Sequence, residues 1–108
     1  VSGSGPAYFF YLMEAIERVA VSEGLDPTTA RTLTVETAIG AGRLALASSD
    51  SLAVLREQVT SPGGTTEAAI NSLDETQVSK SVGRAVNAAK DRSEELSQLL
   101  GTEDHDKT

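Results

Sequence analysis

The chain has 108 residues, 39% of them hydrophobic, with no tryptophan and a net charge of −7, which suits one small domain that buries about 60 to 70% of its unfolded surface. Having no cysteine excludes disulfides and thiolate metal sites and is compatible with a reducing, cytoplasmic setting. Basic residues scattered from Arg18 to Lys107 make no stripe that could track a nucleic-acid backbone, and no apolar run reaches the roughly 20 residues of a membrane span.

The opening Val1-Ser2-Gly3-Ser4-Gly5-Pro6 has no basic leader region. A start without Met, in a glycine-rich joint running straight into a helix, leads us to expect a segment of a larger protein with an N-terminal partner. After Pro6, the spacing of Phe9, Leu12, Met13, Ile16, Val19 and Ala20 predicts a first helix over about residues 6–23, with Gly24 as its stop. Asp26-Pro27 is an N-cap followed by a first-turn proline and predicts a second helix to about Ala47, patterned by Leu33, Ile39, Leu44 and Leu46. Gly40 and Gly42 interrupt it, each at a cost of about 1 kcal/mol relative to alanine. Close packing against a neighbour is the expected compensation.

A short helix is predicted from near Asp50 or Ser51 to Gln58, with Leu52 and Leu55 or Val59 facing inward. Another short one covers about Thr66–Leu73, and a long one about Thr76–Leu100, on which Val78, Val82, Ala85, Ala89, Leu96 and Leu99 share a face. No segment has strand periodicity, so the expected class is all-α, a bundle of about five helices over residues 1–100. The acidic tail 101–108 is expected to be disordered, and its His105, the only histidine, receives no metal or catalytic role.

Between the third and fourth helices lies Gln58-Val59-Thr60-Ser61-Pro62-Gly63-Gly64-Thr65-Thr66, an uncharged, hydroxyl-rich loop opening onto a helix. The first turn of a helix leaves backbone N–H groups unpaired, and paired glycines let a ligand approach them, so a carboxylate or phosphate fits there. The same residues also read as a Pro62-Gly63 turn and a plain cap at Gly64 or Thr65.

Two features call for a second copy of the chain. All four aromatic residues are consecutive, Tyr8-Phe9-Phe10-Tyr11, and at 100° per residue they point to nearly every side of the first helix. From Thr32 to Ala47 the only charges are Glu36 and Arg43, as befits a helix wrapped by others. A homodimer is therefore expected, with a ring of dimers left open.

Catalysis by these residues alone is not expected. There is no cysteine and no triad. Gly3-Ser4-Gly5 lacks the preceding strand and the third glycine of a dinucleotide fingerprint. The pairs Asp74-Glu75 and Glu94-Glu95 read as solvated helix residues.

Leu55 to Asp74, Leu-Arg-Glu-Gln-Val-Thr-Ser-Pro-Gly-Gly-Thr-Thr-Glu-Ala-Ala-Ile-Asn-Ser-Leu-Asp, resembles the signature segment of pyrroline-5-carboxylate reductases, and Ser2-Gly3-Ser4-Gly5-Pro6-Ala7-Tyr8 resembles the start of that family's C-terminal domain. The resemblance covers residues 1 to about 100. It implies an interlocked all-α dimerisation domain that follows a Rossmann domain binding NADPH or NADH, with the cofactor held mainly by that other domain and no metal. It further implies reduction of 1-pyrroline-5-carboxylate to L-proline, the last step of proline biosynthesis, in the cytoplasm. By the same resemblance, backbone N–H groups around Gly63, Gly64, Thr65 and Thr66, assisted by the Ser61 hydroxyl, hold the substrate carboxylate. The Thr66 hydroxyl contacts the ring nitrogen and is the catalytic candidate. An acidic residue about a dozen positions before Ser61 often joins the family's substrate network, and here that stretch reads Ala47-Ser48-Ser49-Asp50. Two other classes stay open: a helical dimerisation module with no ligand, and the helical domain of another two-domain NAD(P)-dependent dehydrogenase.

Overall fold

A computed structural model describes residues 3–101, and the tail from Thr102, with His105, lies outside the described residues. Five helices run in chain order: α1 (Gly5–Ser22), α2 (Pro27–Ala47), α3 (Leu52–Gln58), α4 (Thr65–Glu75) and α5 (Val78–Gly101). Among the described residues there is no strand, and no helix is long and apolar enough to cross a membrane. The all-α expectation holds. The described residues form two compact units, one ending at Pro62 and the other beginning at Gly63.

The first unit is built on α1 and α2, which pack against each other. α1 ends where Gly24 takes the left-handed φ of +109°, and the Leu25 N–H returns to the Ala20 carbonyl at 3.0 Å, so the chain turns without leaving that carbonyl unpaired. Asp26 then caps α2, its carboxylate accepting from the N–H groups of Thr28 and Thr29 at 3.1 and 3.2 Å, with Pro27 in the first turn. A cap of this kind contributes about 1 kcal/mol. Ser51 does the same for α3, accepting from the Val54 N–H at 3.2 Å.

The helix pair is held by small residues. Gly5, Ala30 and Thr34 are buried, the last two one turn apart on α2. Of the α1 residues picked out by their apolar spacing, Met13 and Ala20 are half-buried, but Phe9, Leu12, Ile16 and Val19 stay exposed. On α2, Leu33, Ile39, Leu44 and Leu46 are likewise exposed, Leu46 at 89%. On α3, Leu55 is half-buried while Leu52 and Val59 are exposed. The physical reason is geometric: two helices cover only the stripe between them, and close approach selects alanine and threonine there, leaving the larger residues on the flanks. Gly40 and Gly42 face open space, with nothing within 4 Å of a Cβ built on either. The close packing expected of them is not supplied by the described residues.

The second unit contains α4 and α5 and has no buried residue in either helix. The two are separated at Thr76 and Gln77, so α5 begins at Val78, two residues later than its pattern suggests. Thr76 ends α4 by donating its hydroxyl to the Ser72 carbonyl at 3.1 Å, while Gln77 adopts φ +58°, the one non-glycine residue with positive φ among those described. Two exposed ion pairs, Arg18 with Glu14 at 3.3 Å and Arg92 with Glu95 at 2.9 Å, decorate single helices and add little to stability.

Candidate functional site

The loop after α3 begins by satisfying its own groups. The Thr60 N–H donates to the Glu57 carbonyl at 3.0 Å and its hydroxyl to the Arg56 carbonyl at 2.6 Å. Ser61 and Pro62, both exposed, close the first unit.

Gly63 opens the second unit at φ +73°, a backbone that a side chain would strain although a Cβ there would meet nothing within 4 Å. Glycine is needed at this position for its dihedral, since there is space to spare. Gly64 is different. As the N-cap of α4 it sits at φ −90° and ψ −178°, a backbone any residue can adopt. Its lack of a side chain therefore meets no conformational demand, and it leaves the first turn bare: no side chain caps α4. The N–H groups of a first helical turn have no intrahelical acceptor, and they carry the positive end of the helix dipole. On a chain of net charge −7, whose overall field repels anions, such a local cluster of donors is what an anion site requires.

Glu67 modifies that cluster. Its carboxylate Oε1 accepts the Gly63 N–H at 3.0 Å, so of the expected donors Gly63 is already occupied. Sequence reasoning missed this residue, although the signal was present: a glutamate three positions after the helix cap commonly reaches back toward the chain before the helix. Thr65 and Thr66 are both exposed in the first turn of α4. Among the described residues, no side-chain hydrogen bond uses Ser61, Thr65 or Thr66, in contrast to Thr60.

Asp50, at the position where an acidic partner for the site was considered, accepts a hydrogen bond from Gln58 Nε2 at 3.3 Å across the length of α3. That bond belongs to the first unit and ties the two ends of a short helix. No cluster of metal-ligating side chains occurs among the described residues. A broad open groove of about 700 Å³ lies along α1 and α2, with Phe10, Tyr11, Met13, Glu14, Arg31 and Thr34 among its walls, and no residue of the loop lines it. Its breadth and its aromatic wall suit a packed helix better than a small anion.

The family model described as pyrroline-5-carboxylate reductase dimerisation matches residues 1–96. The pyrroline-5-carboxylate reductase of Pseudomonas aeruginosa is 52% identical over 101 residues, covering 94% of this chain and 37% of that protein. Pyrroline-5-carboxylate reductase 1 of Bacillus subtilis is 37% identical over 98 residues, covering 91% and 33%. Among solved structures, a pyrroline-5-carboxylate reductase from Coxiella burnetii superposes with a TM-score of 0.85 at 47% identity, over 89% of this chain and 36% of that one. The Plasmodium falciparum pyrroline carboxylate reductase, solved with NADP bound, gives 0.83 at 30% identity, over 86% and 37%. The chain thus spans about a third of the length of the relatives it matches.

Proposed function

The chain belongs to the pyrroline-5-carboxylate reductase dimerisation family, and on that premise we propose that residues 1–100 act as one helical domain of such a reductase, supplying its homodimer interface and its substrate carboxylate site. The reaction is reduction of 1-pyrroline-5-carboxylate to L-proline, with hydride from a nicotinamide cofactor. The observation that carries the reading is the bare first turn of α4, uncapped at Gly64 and reached through the left-handed Gly63.

The substrate is small, carries one carboxylate, and is reduced at a C=N bond, so it needs an anion site and a hydrogen-bonding group near nitrogen rather than a nucleophile. Backbone N–H groups of Gly64, Thr65 and Thr66 hold the carboxylate, with the Ser61 hydroxyl assisting. The Thr66 hydroxyl contacts the ring nitrogen. Fixing the ring in one orientation is the main contribution of these residues to rate.

A nicotinamide dinucleotide does not fit the described residues. A dinucleotide cradle is a strand, a glycine turn and a helix, whereas Gly3-Ser4-Gly5 leads into α1 with no strand among the described residues. The cofactor, NADPH or NADH, is assigned to another part of the enzyme, and these residues alone are expected to be inactive.

The homodimer rests on exposure. Phe9, Phe10 and Tyr11 are 67, 66 and 77% exposed, an apolar area that a second copy would cover. A ring of dimers and a cytoplasmic setting belong to the same reading.

Ser61→Ala in the full reductase tests the site. Loss of a hydrogen bond to the carboxylate should raise KM by roughly tenfold with kcat little changed. An unchanged KM together with a lowered melting temperature would make the loop a turn and cap, and the chain a dimerisation module only.

A further inference from the structure

We propose that Glu67 is a positioning residue for the carboxylate site: it clamps the Gly63 turn and removes the Gly63 N–H from the donors open to ligand. This rests on the substrate reading above and adds a residue to it. The ground is the hydrogen bond from the Gly63 N–H to Glu67 Oε1 at 3.0 Å, at a glycine held at φ +73°.

A glycine in the left-handed region has no steric wall to keep it there, because it populates several other regions as readily. Something must select the conformer that presents the next N–H groups outward. Glu67 does this from within the second unit, reaching back four residues from the first turn of α4. The half-buried Gly64 follows directly, and its extended backbone orients the start of the helix. A carboxylate ligand then meets the N–H groups of Gly64, Thr65 and Thr66 only. Glu67 also places a negative charge beside an anion site, so the clamp works against ligand charge while it favours ligand geometry. Glutamine at 67 keeps the acceptor and drops the charge, whereas alanine removes both. The two substitutions therefore separate the effects.

The test uses the ¹⁵N-labelled 108-residue chain titrated with L-proline, following the backbone amides of Gly63 to Thr66, with amide hydrogen exchange at Gly63 measured on the same samples. The expected result is proline-dependent shifts centred on Gly64, Thr65 and Thr66. E67A should bind proline roughly three- to tenfold more weakly and exchange the Gly63 amide faster. E67Q should retain the slow exchange and bind at least as tightly as the parent.

A cap with no bearing on ligand would lower the melting temperature of E67A and leave its proline affinity unchanged, which overturns the inference while the carboxylate site stands. Equal Gly63 exchange in E67A and the parent overturns it too. If the parent chain shows no proline-dependent shift at these amides, the carboxylate-site reading itself fails and the positioning role falls with it. Should E67A not fold, E67Q decides: weaker proline binding or faster Gly63 exchange in that variant overturns the proposal.

Discussion

The outer faces of α1 and α2 and the first turn of α4 both leave groups uncovered, and the kind of group differs. On α1 and α2 it is carbon: Phe10 is 66% exposed and Leu44 63%, on helices whose mutual contact is made by Ala30 and Thr34. At α4 it is backbone N–H, left open because the cap residue is Gly64 and brings no side chain. Exposed carbon is satisfied by area, so almost any well-shaped apolar surface will do. Exposed N–H groups are satisfied only by acceptors at defined distances, so they discriminate. On the proposed reading the first region holds a subunit and the second chooses a small molecule.

The largest effect should come from placing charge in the apolar region. In the single chain Phe10 lies at the surface, where a substitution changes stability by only about 0.5 kcal/mol. If a second copy covers it, Phe10→Glu transfers a carboxylate into an apolar interface, which costs several kcal/mol and should leave a monomer or an unfolded chain. Sedimentation velocity at micromolar concentration separates these outcomes. A parent chain that sediments as a folded monomer would remove the basis of the contrast altogether.

Next in size is Thr66→Val, which preserves shape and removes the hydroxyl. One hydrogen bond to a charged or charge-developing group is worth about 1.5 to 3 kcal/mol, so kcat/KM of the full reductase should fall roughly 10- to 150-fold. Dimerisation and cofactor affinity should stay as they were. Unchanged sedimentation with lowered kcat/KM in this variant, against altered sedimentation in Phe10→Glu, would confirm that the two regions do separate jobs.

The sign of Gly42→Ala sharpens the comparison further. Among the described residues nothing lies within 4 Å of a Cβ at Gly42, so by helix propensity alone alanine should stabilise α2 by about 1 kcal/mol. A partner helix packed close against that glycine would reverse the sign, and the loss would shrink on dilution, turning back into a gain as the dimer dissociates. Thermal melts at two protein concentrations read both the sign and its dependence.

How much of this was legible in the sequence follows from the kind of signal each residue sends. Caps such as Asp26 before Pro27 and Ser51 before Leu52 act locally, and the helices begin where they indicate. Apolar spacing marked Phe9, Ile16 and Leu44 as needing cover but carried nothing about what covers them. The buried positions between α1 and α2, Ala30 and Thr34, escape such spacing, because periodicity weights hydrophobic size and close helix approach weights smallness. The loop motif located the donors. That the Gly63 N–H is engaged by Glu67 was legible only through the spacing of a glutamate three positions after the cap, which does not say which N–H group it takes.

The smallest effect belongs to the turn between α4 and α5, where a strained residue gives a measurement that involves neither uncovered region. Gln77 holds φ +58°, a conformation in which Cβ crowds the backbone by about 1 to 2 kcal/mol. Glycine removes that crowding but has more unfolded-state freedom to lose, by about 0.5 to 1 kcal/mol. Gln77→Gly should therefore stabilise by roughly 0.5 to 1 kcal/mol. Because the strain lies within one chain, the gain should be the same at every protein concentration, and proline affinity should not move. A gain that varied with concentration would mean the turn takes part in the subunit contact, and a loss of stability would mean the Gln77 side chain makes contacts outside this chain.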